Sequence, residues 1–93
     1  MKVSWSRPAL AQLRAAHAYI AQDNPRVADE FVDASAALCD LLGEYPGMGV
    51  PTDEPGIIMF PLVRYRYLIF YKVLPHQEVR IIRVRHASRK RTK

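Results

Sequence analysis

Seven arginines, Arg64, Arg66, Arg80, Arg83, Arg85, Arg89 and Arg91, fall within 28 residues towards the end of this 93-residue chain, with His86 among them. A guanidinium keeps its charge at every relevant pH and offers a planar fork of donors that matches phosphate or carboxylate, so such a group suits an anionic partner. From Arg64 to Lys93 ten Lys or Arg accompany one acid, Glu78, whereas Met1 to Val63 holds four basic and eight acidic residues. The net charge of +5 thus joins a +9 segment to a −4 one. Basic residues on an exposed sheet also keep it soluble and blunt its edge. This charge is too lopsided for that alone, because the arginines would repel one another unless something negative covered them. Nucleic acid, an acidic protein surface or an acidic peptide would each serve.

Other reactive residues carry less. Cys39 is the single cysteine, so no internal disulfide can form, and its place in a helical pattern suits a reduced, buried thiol and the cytoplasm. His17 sits on the apolar stripe of a helix with no metal-spaced partner nearby and reads as structural. The acidic run Asp29, Glu30 and Asp33 reads as a solvated helix face. Neither a metal nor another cofactor is expected. No stretch approaches the about 20 apolar residues needed to cross a bilayer, and the start, MKVSWSRPAL, has no signal-like apolar core, which predicts a soluble protein with no membrane role.

The elements that must position the arginines follow from periodicity. Ninety-three residues make one domain, 1–93, burying somewhat more than about 60% of its unfolded surface. Lys2 to Trp5 alternates as a short strand with Val3 and Trp5 on one face. Ser6 caps a helix with Pro8 in its first turn and a stripe of Leu10, Leu13, His17 and Ile20. Asn24-Pro25 ends it and caps a second helix, on which Ala28, Phe31, Ser35, Leu38 and Leu42 form the buried face and Gly43 the stop. Gly47 to Gly56 is a loop, and Ile57 to Phe60 a short strand closed by Pro61. Arg66 to Leu74 is a central strand, turned at Pro75-His76-Gln77 into Glu78 to His86.

Helices followed by strands make an α+β protein: an N-terminal strand and a two-helix hairpin packed on one face of a mainly antiparallel sheet of about four strands. With Ile82 and Val84 towards the helices, Arg83 and Arg85 lie side by side on the open face, with Arg64, Arg66 and Tyr71 on neighbouring segments. A bulge near Arg85 would change which of these project. Ser88 to Lys93, Arg-rich and poor in apolar residues, is expected to be a mobile basic tail.

Several segments, in this order, resemble the ParE/RelE superfamily of bacterial toxins. They are Trp5-Ser-x-x-Ala-x-x-x-Leu13, Tyr19-Ile20-Ala21 before Asp23-Asn24-Pro25, Ala28 with Phe31, Leu38 and Leu42 before Pro46-Gly47, Tyr65 to Tyr71, and Ile82 to Arg89. The resemblance covers nearly the whole chain and implies two helices against a curved sheet whose concave face acts. It also implies a ParD-like antitoxin that wraps the toxin in a hetero-oligomer, and a role such as plasmid stabilisation.

Two activities compete within the superfamily. The ParE-like branch inhibits DNA gyrase by binding, and its usual ending is close to His86-Ala87-Ser88-Arg89, although Ala87 replaces a glycine and Lys90 stands where an acid is common. The RelE-like branch cleaves ribosome-bound mRNA, for which Arg64 and Arg83 would hold the phosphate and His86 would move protons. The segment after His86, ASRKRTK, lacks the aromatic residue those nucleases carry, which favours the ParE-like branch. The residues expected to meet target or antitoxin are Arg64, Arg66, Tyr71, Arg83, Arg85, His86 and Arg89, while His86 also fits a structural role. A non-toxic basic module that binds nucleic acid is the remaining alternative, though no helix-turn-helix or glycine-lysine loop supports it.

Overall fold

The computed structural model describes residues 1–88. Its elements run β1 (Lys2–Trp5), α1 (Arg7–Ala21), α2 (Pro25–Glu44), β2 (Val50–Pro51), β3 (Ile58–Leu62), β4 (Tyr67–Leu74) and β5 (Glu78–His86), with a short 3-10 turn at Val63–Tyr65. The sheet has five strands in the order β1-β5-β4-β3-β2. Only β1 runs parallel to its neighbour, β5; the other pairings are antiparallel. The fifth strand is β2, two residues long, lying within the segment expected to be a loop.

Both helices start as their sequences dictate. The side chains of Ser6 and Asn24 accept from the backbone N–H groups of Ala9 and Val27, and each helix has proline in its first turn, where the missing N–H is no loss. The buried face of α2 is Ala28, Phe31, Ser35, Leu38 and Leu42, as the spacing predicts, and Ser35 satisfies its hydroxyl on the Phe31 carbonyl at 2.9 Å. α1 differs from the expected stripe. Its buried residues are Ala9 and Ala16, with Leu13 half-buried between them and Ile20 half-buried one turn further on, so the seam runs one position away from Leu10 and His17. Alanine at the contact lets α1 approach the sheet closely, and the larger side chains flank it. Gly43 does not stop α2, which runs on to Glu44; a Cβ there would lie 2.9 Å from the Met1 carbonyl oxygen, and the N-terminal ammonium donates to the Gly43 carbonyl at 2.8 Å.

The helices cover one face of the sheet. Tyr67, Ile69 and Tyr71 of β4 and Val79, Ile81 and Val84 of β5 meet Phe31, Leu38 and Leu42 there. Full burial of a side chain such as Phe31 or Ile81 contributes about 1.5–3 kcal/mol. Val79, Ile81 and Val84 cannot share a face in a regular strand. The register shows how they do: Phe70 pairs with Arg83 but Tyr71 pairs with Ile81, leaving Ile82 as an extra residue in a β-bulge. Strict alternation would have placed Val79 and Ile81 with the arginines. The bulge, at Ile82 rather than near Arg85, reverses the facing, so Val84 is inward and Arg83 and Arg85 are outward, while Ile82 itself is only half-buried.

Pro61 lies inside β3 instead of closing it. β2 pairs only with Ile58 and Met59, so the outer edge of β3 has no strand partner at Pro61. The β4–β5 loop is Pro75-His76-Gln77 as expected, with Gln77 taking the left-handed turn at φ 60°.

Candidate functional site

The open sheet face is centred on Phe70. Its ring points away from the helices, yet it is only 5% exposed, because the sheet register places Arg83 opposite it and Arg85 one step beyond. Both guanidinium groups cover the ring, with their central carbons 4.9 Å and 5.0 Å from its centroid. A ring face is negative and attracts cations, so one aromatic side chain holds two like charges side by side. Met59 and Leu68, which belong to the same face by register, make the surroundings apolar and half-buried.

Among the described residues one acid reaches this pair. Glu54, on the turn between β2 and β3, places its Oε1 3.4 Å from Arg83 Nη1. The turn is well built: the Thr52 hydroxyl accepts from the Glu54 N–H at 3.2 Å and donates to the Ile57 carbonyl at 2.9 Å, and the Ile57 N–H donates to the Glu54 carbonyl at 3.1 Å. Among the described residues Arg85, which is exposed, has no acidic partner.

A second polar cluster lies at the far end of the same face. The Glu78 side chain is 7% exposed and is held by the Ser4 hydroxyl, by Arg80 Nη2 at 3.0 Å and by His76 Nε2 at 2.8 Å. Arg80 Nε also donates to Ser4 Oγ at 3.0 Å. These donors, Ser4 first, stabilise the carboxylate and lower its pKa to about 2 despite burial. Arg80 is thus consumed in pinning β1 to β5.

The other anticipated residues do not join Arg83 and Arg85. Arg64, on the 3-10 turn, donates to Glu30 of α2 at 3.2 Å and lies over Tyr65, so it belongs to the helix side and not to the open face. Arg66 is exposed with φ 63°, held by its N–H to the Leu62 carbonyl at 2.9 Å, while its own carbonyl accepts from Ala87. Tyr71, expected on the open face, is fully buried on the opposite one. Its hydroxyl donates to the Pro46 carbonyl at 2.8 Å and accepts from the Gly49 N–H at 3.1 Å, which anchors the loop after α2; burial raises its pKa. Arg89 and the tail expected from Ser88 onwards lie, apart from Ser88, outside the described residues.

His86 pairs with Tyr67, three residues from Phe70, so it projects to the side opposite Arg83. Its ring meets the edge of Tyr67 with centroids 4.9 Å apart, and Nδ1 accepts from the Ser88 N–H at 3.2 Å. It lines a groove of about 450 Å³ between α1 and the end of the sheet, floored by Ala15, Ala16, Tyr67 and Val84. Arg64, Arg83 and His86, the candidates for a ribonuclease site, therefore do not converge.

The acidic run on α2 is largely solvent-facing, as its spacing implies, and two of its members make exposed ion pairs. Asp29 lies 2.9 Å from His17 Nε2 across the helical hairpin, and Glu30 takes Arg64. Cys39 is half-buried with its pKa raised chiefly by burial, which suits a quiet thiol. No group of three or more His, Cys, Asp or Glu gathers among the described residues, and none of their helices is long and apolar enough to cross a membrane.

Sequence reasoning missed Glu54, Phe70 and Glu78. Phe70 reads as core in any hydrophobic pattern, and the pairing of Glu54 with Arg83 spans 29 residues that no local spacing connects.

A two-helix hairpin on one face of a mostly antiparallel five-stranded sheet is the RelE/ParE-like α+β fold. A solved structure titled chromosomal ParDE toxin-antitoxin system from P. aeruginosa superposes with a TM-score of 0.80 at 25% identity, covering 95% of this chain and 97% of that one. The isolated E. coli RelE toxin matches with a TM-score of 0.63 at 17% identity over 96% of this chain and 86% of that one. The intact E. coli RelBE toxin-antitoxin complex matches at 0.63 and 18% over 95% and 98%. Among curated proteins no relative matches. The family described as the ParE toxin of the type II toxin-antitoxin system, parDE, matches residues 3–91, and the chain belongs to it.

Proposed function

We propose that this ParE-family toxin is neutralised by a ParD-like antitoxin and, when released in the cytoplasm, arrests growth by binding DNA gyrase rather than by cutting RNA. The separation of His86 from Arg83 on opposite sides of β5 carries the second half of the reading, because a proton carrier and a phosphate-holding guanidinium must reach the same scissile group. The doubly covered Phe70 supports a binding mechanism: it presents fixed charge on an apolar base, which suits a protein surface. The antitoxin half is supported by the ParDE and RelBE systems among the structural neighbours.

The test is induction in bacteria with and without the adjacent gene, followed by gyrase supercoiling and ribosome-bound mRNA cleavage assays. Growth arrest relieved by the neighbour, with supercoiling lost and mRNA intact, is the expected result. Cleaved mRNA with normal supercoiling overturns it in favour of the RelE-like activity.

A further inference from the structure

We propose that Glu54 is an internal placeholder for a carboxylate of a protein partner, and that Arg83, Arg85 and Phe70 form the carboxylate receptor it occupies. The inference rests on the reading of the open face as a protein-binding surface, and it adds what that surface recognises.

Three observations lead to it. The two guanidinium groups share one ring, but Glu54 reaches only Arg83, so Arg85 retains its donors for a second anion. The backbone around Glu54 is held by the Thr52 hydroxyl and by the turn bond from Ile57, so its carboxylate is delivered to Arg83 by a formed structure. The contact itself is weak: at 3.4 Å, with the Glu54 side chain 61% exposed, a rotation of one side chain releases it. A fixed base with a loose bond is what a displaceable ligand requires.

The occupant is an acidic, amphipathic protein segment. Met59 and Leu68 beside the guanidinium groups offer apolar contact that a phosphodiester backbone cannot use, whereas a peptide with alternating acidic and apolar side chains can use both. A partner carboxylate can then take Arg83 in bidentate geometry where Glu54 makes only one contact, and the exchange needs only a side-chain rotation.

The experiment follows the arginine Nε–Hε signals of Arg83 and Arg85 by NMR, assigned with Arg83→Lys and Arg85→Lys, while a short poly-L-glutamate or a random-sequence DNA duplex is added. Glu54→Gln alone is expected to move the Arg83 signal. Poly-L-glutamate should then move both signals, and bind Glu54→Gln about two- to fivefold more tightly than the unchanged protein, the range an exposed ion pair spans. Asp53→Asn removes the same charge one residue earlier and is expected to leave the affinity almost unaltered. An Arg83 signal indifferent to Glu54→Gln, equal gains from Asp53→Asn and Glu54→Gln, or tighter binding of the duplex than of poly-L-glutamate would each overturn the proposal. Growth and supercoiling do not enter this readout, so a failed toxin reading and a failed placeholder remain distinguishable.

Discussion

Val84 donates its backbone N–H to Gln12 Oε1 at 2.7 Å, and through this bond α1 takes over the edge of β5 that β1 leaves uncovered. β1 ends at Trp5 opposite Ile81, and the Ser6 N–H makes the last backbone bond, to the Ile81 carbonyl at 2.9 Å. Beyond that point a side chain replaces a strand. Gln12→Leu leaves a part-buried donor unsatisfied and should cost about 1–3 kcal/mol. Denaturant unfolding measures the loss, and hydrogen exchange should quicken at the Val84 amide before other amides of β5.

Stability should fall in acid through Glu78. Its folded pKa of about 2 lies below the ordinary 4.5, so the unfolded chain binds the proton more readily. Its contribution is therefore complete above about pH 4.5 and lost as pH falls through about 2. Melting curves of Glu78→Gln across this window should be flatter than those of the unchanged protein. An unaltered slope would show that Ser4, His76 and Arg80 do not hold the carboxylate in solution.

Arg66 adopts a left-handed backbone conformation that costs a non-glycine residue about 1–2 kcal/mol. Arg66→Gly removes that cost while loosening the unfolded chain, so stability should change by less than about 1 kcal/mol. Arg66→Val, β-branched at positive φ, should lose more than Arg66→Gly gains. Thermal unfolding of the two variants checks the order.

Binding and cutting separate at β5. On the proposed reading Arg83→Ala weakens growth arrest and gyrase inhibition together, because it uncovers Phe70 and removes one of two charges. His86→Ala should leave gyrase inhibition within a few-fold, since its ring lies on the other side. Loss of toxicity in His86→Ala with antitoxin affinity intact would assign it a proton-transfer role.

On the proposed reading, an antitoxin complex should resist salt better than a nucleic-acid complex does. Its apolar contacts are not screened, whereas phosphate contacts lose affinity steeply as counterions compete. Titrations of the purified pair at rising salt give the slope, and a steep one would indicate a purely ionic interface.

Much of this structure was legible in the residues. The buried face of α2 and the limits of β5 follow from periodicity and turn chemistry, because each is local. The α1 seam was not legible: hydrophobicity favours Leu10, but the distance between helix and sheet selects Ala9 and Ala16. A bulge in β5 could be anticipated near Arg85 but not placed at Ile82, because alternation fits on either side of it and only pairing with β4 reveals the extra residue. Arg83 and Arg85 were found on the open face, whereas Arg64 and Tyr71 were misplaced. A guanidinium on a turn goes to whichever carboxylate tertiary packing supplies, and the Tyr71 hydroxyl meets partners 25 and 22 residues away.

The parallel pairing of β1 with β5 also bears on synthesis. Ser4 and Arg80, bonded in the finished sheet, are 76 residues apart, so during translation the first strand has no strand partner until the last one leaves the ribosome. Nor can the guanidinium pair over Phe70 assemble earlier, since both arginines arrive with that strand. A nascent chain thus carries no finished binding face, and a stop codon anywhere before β5 yields a fragment lacking it.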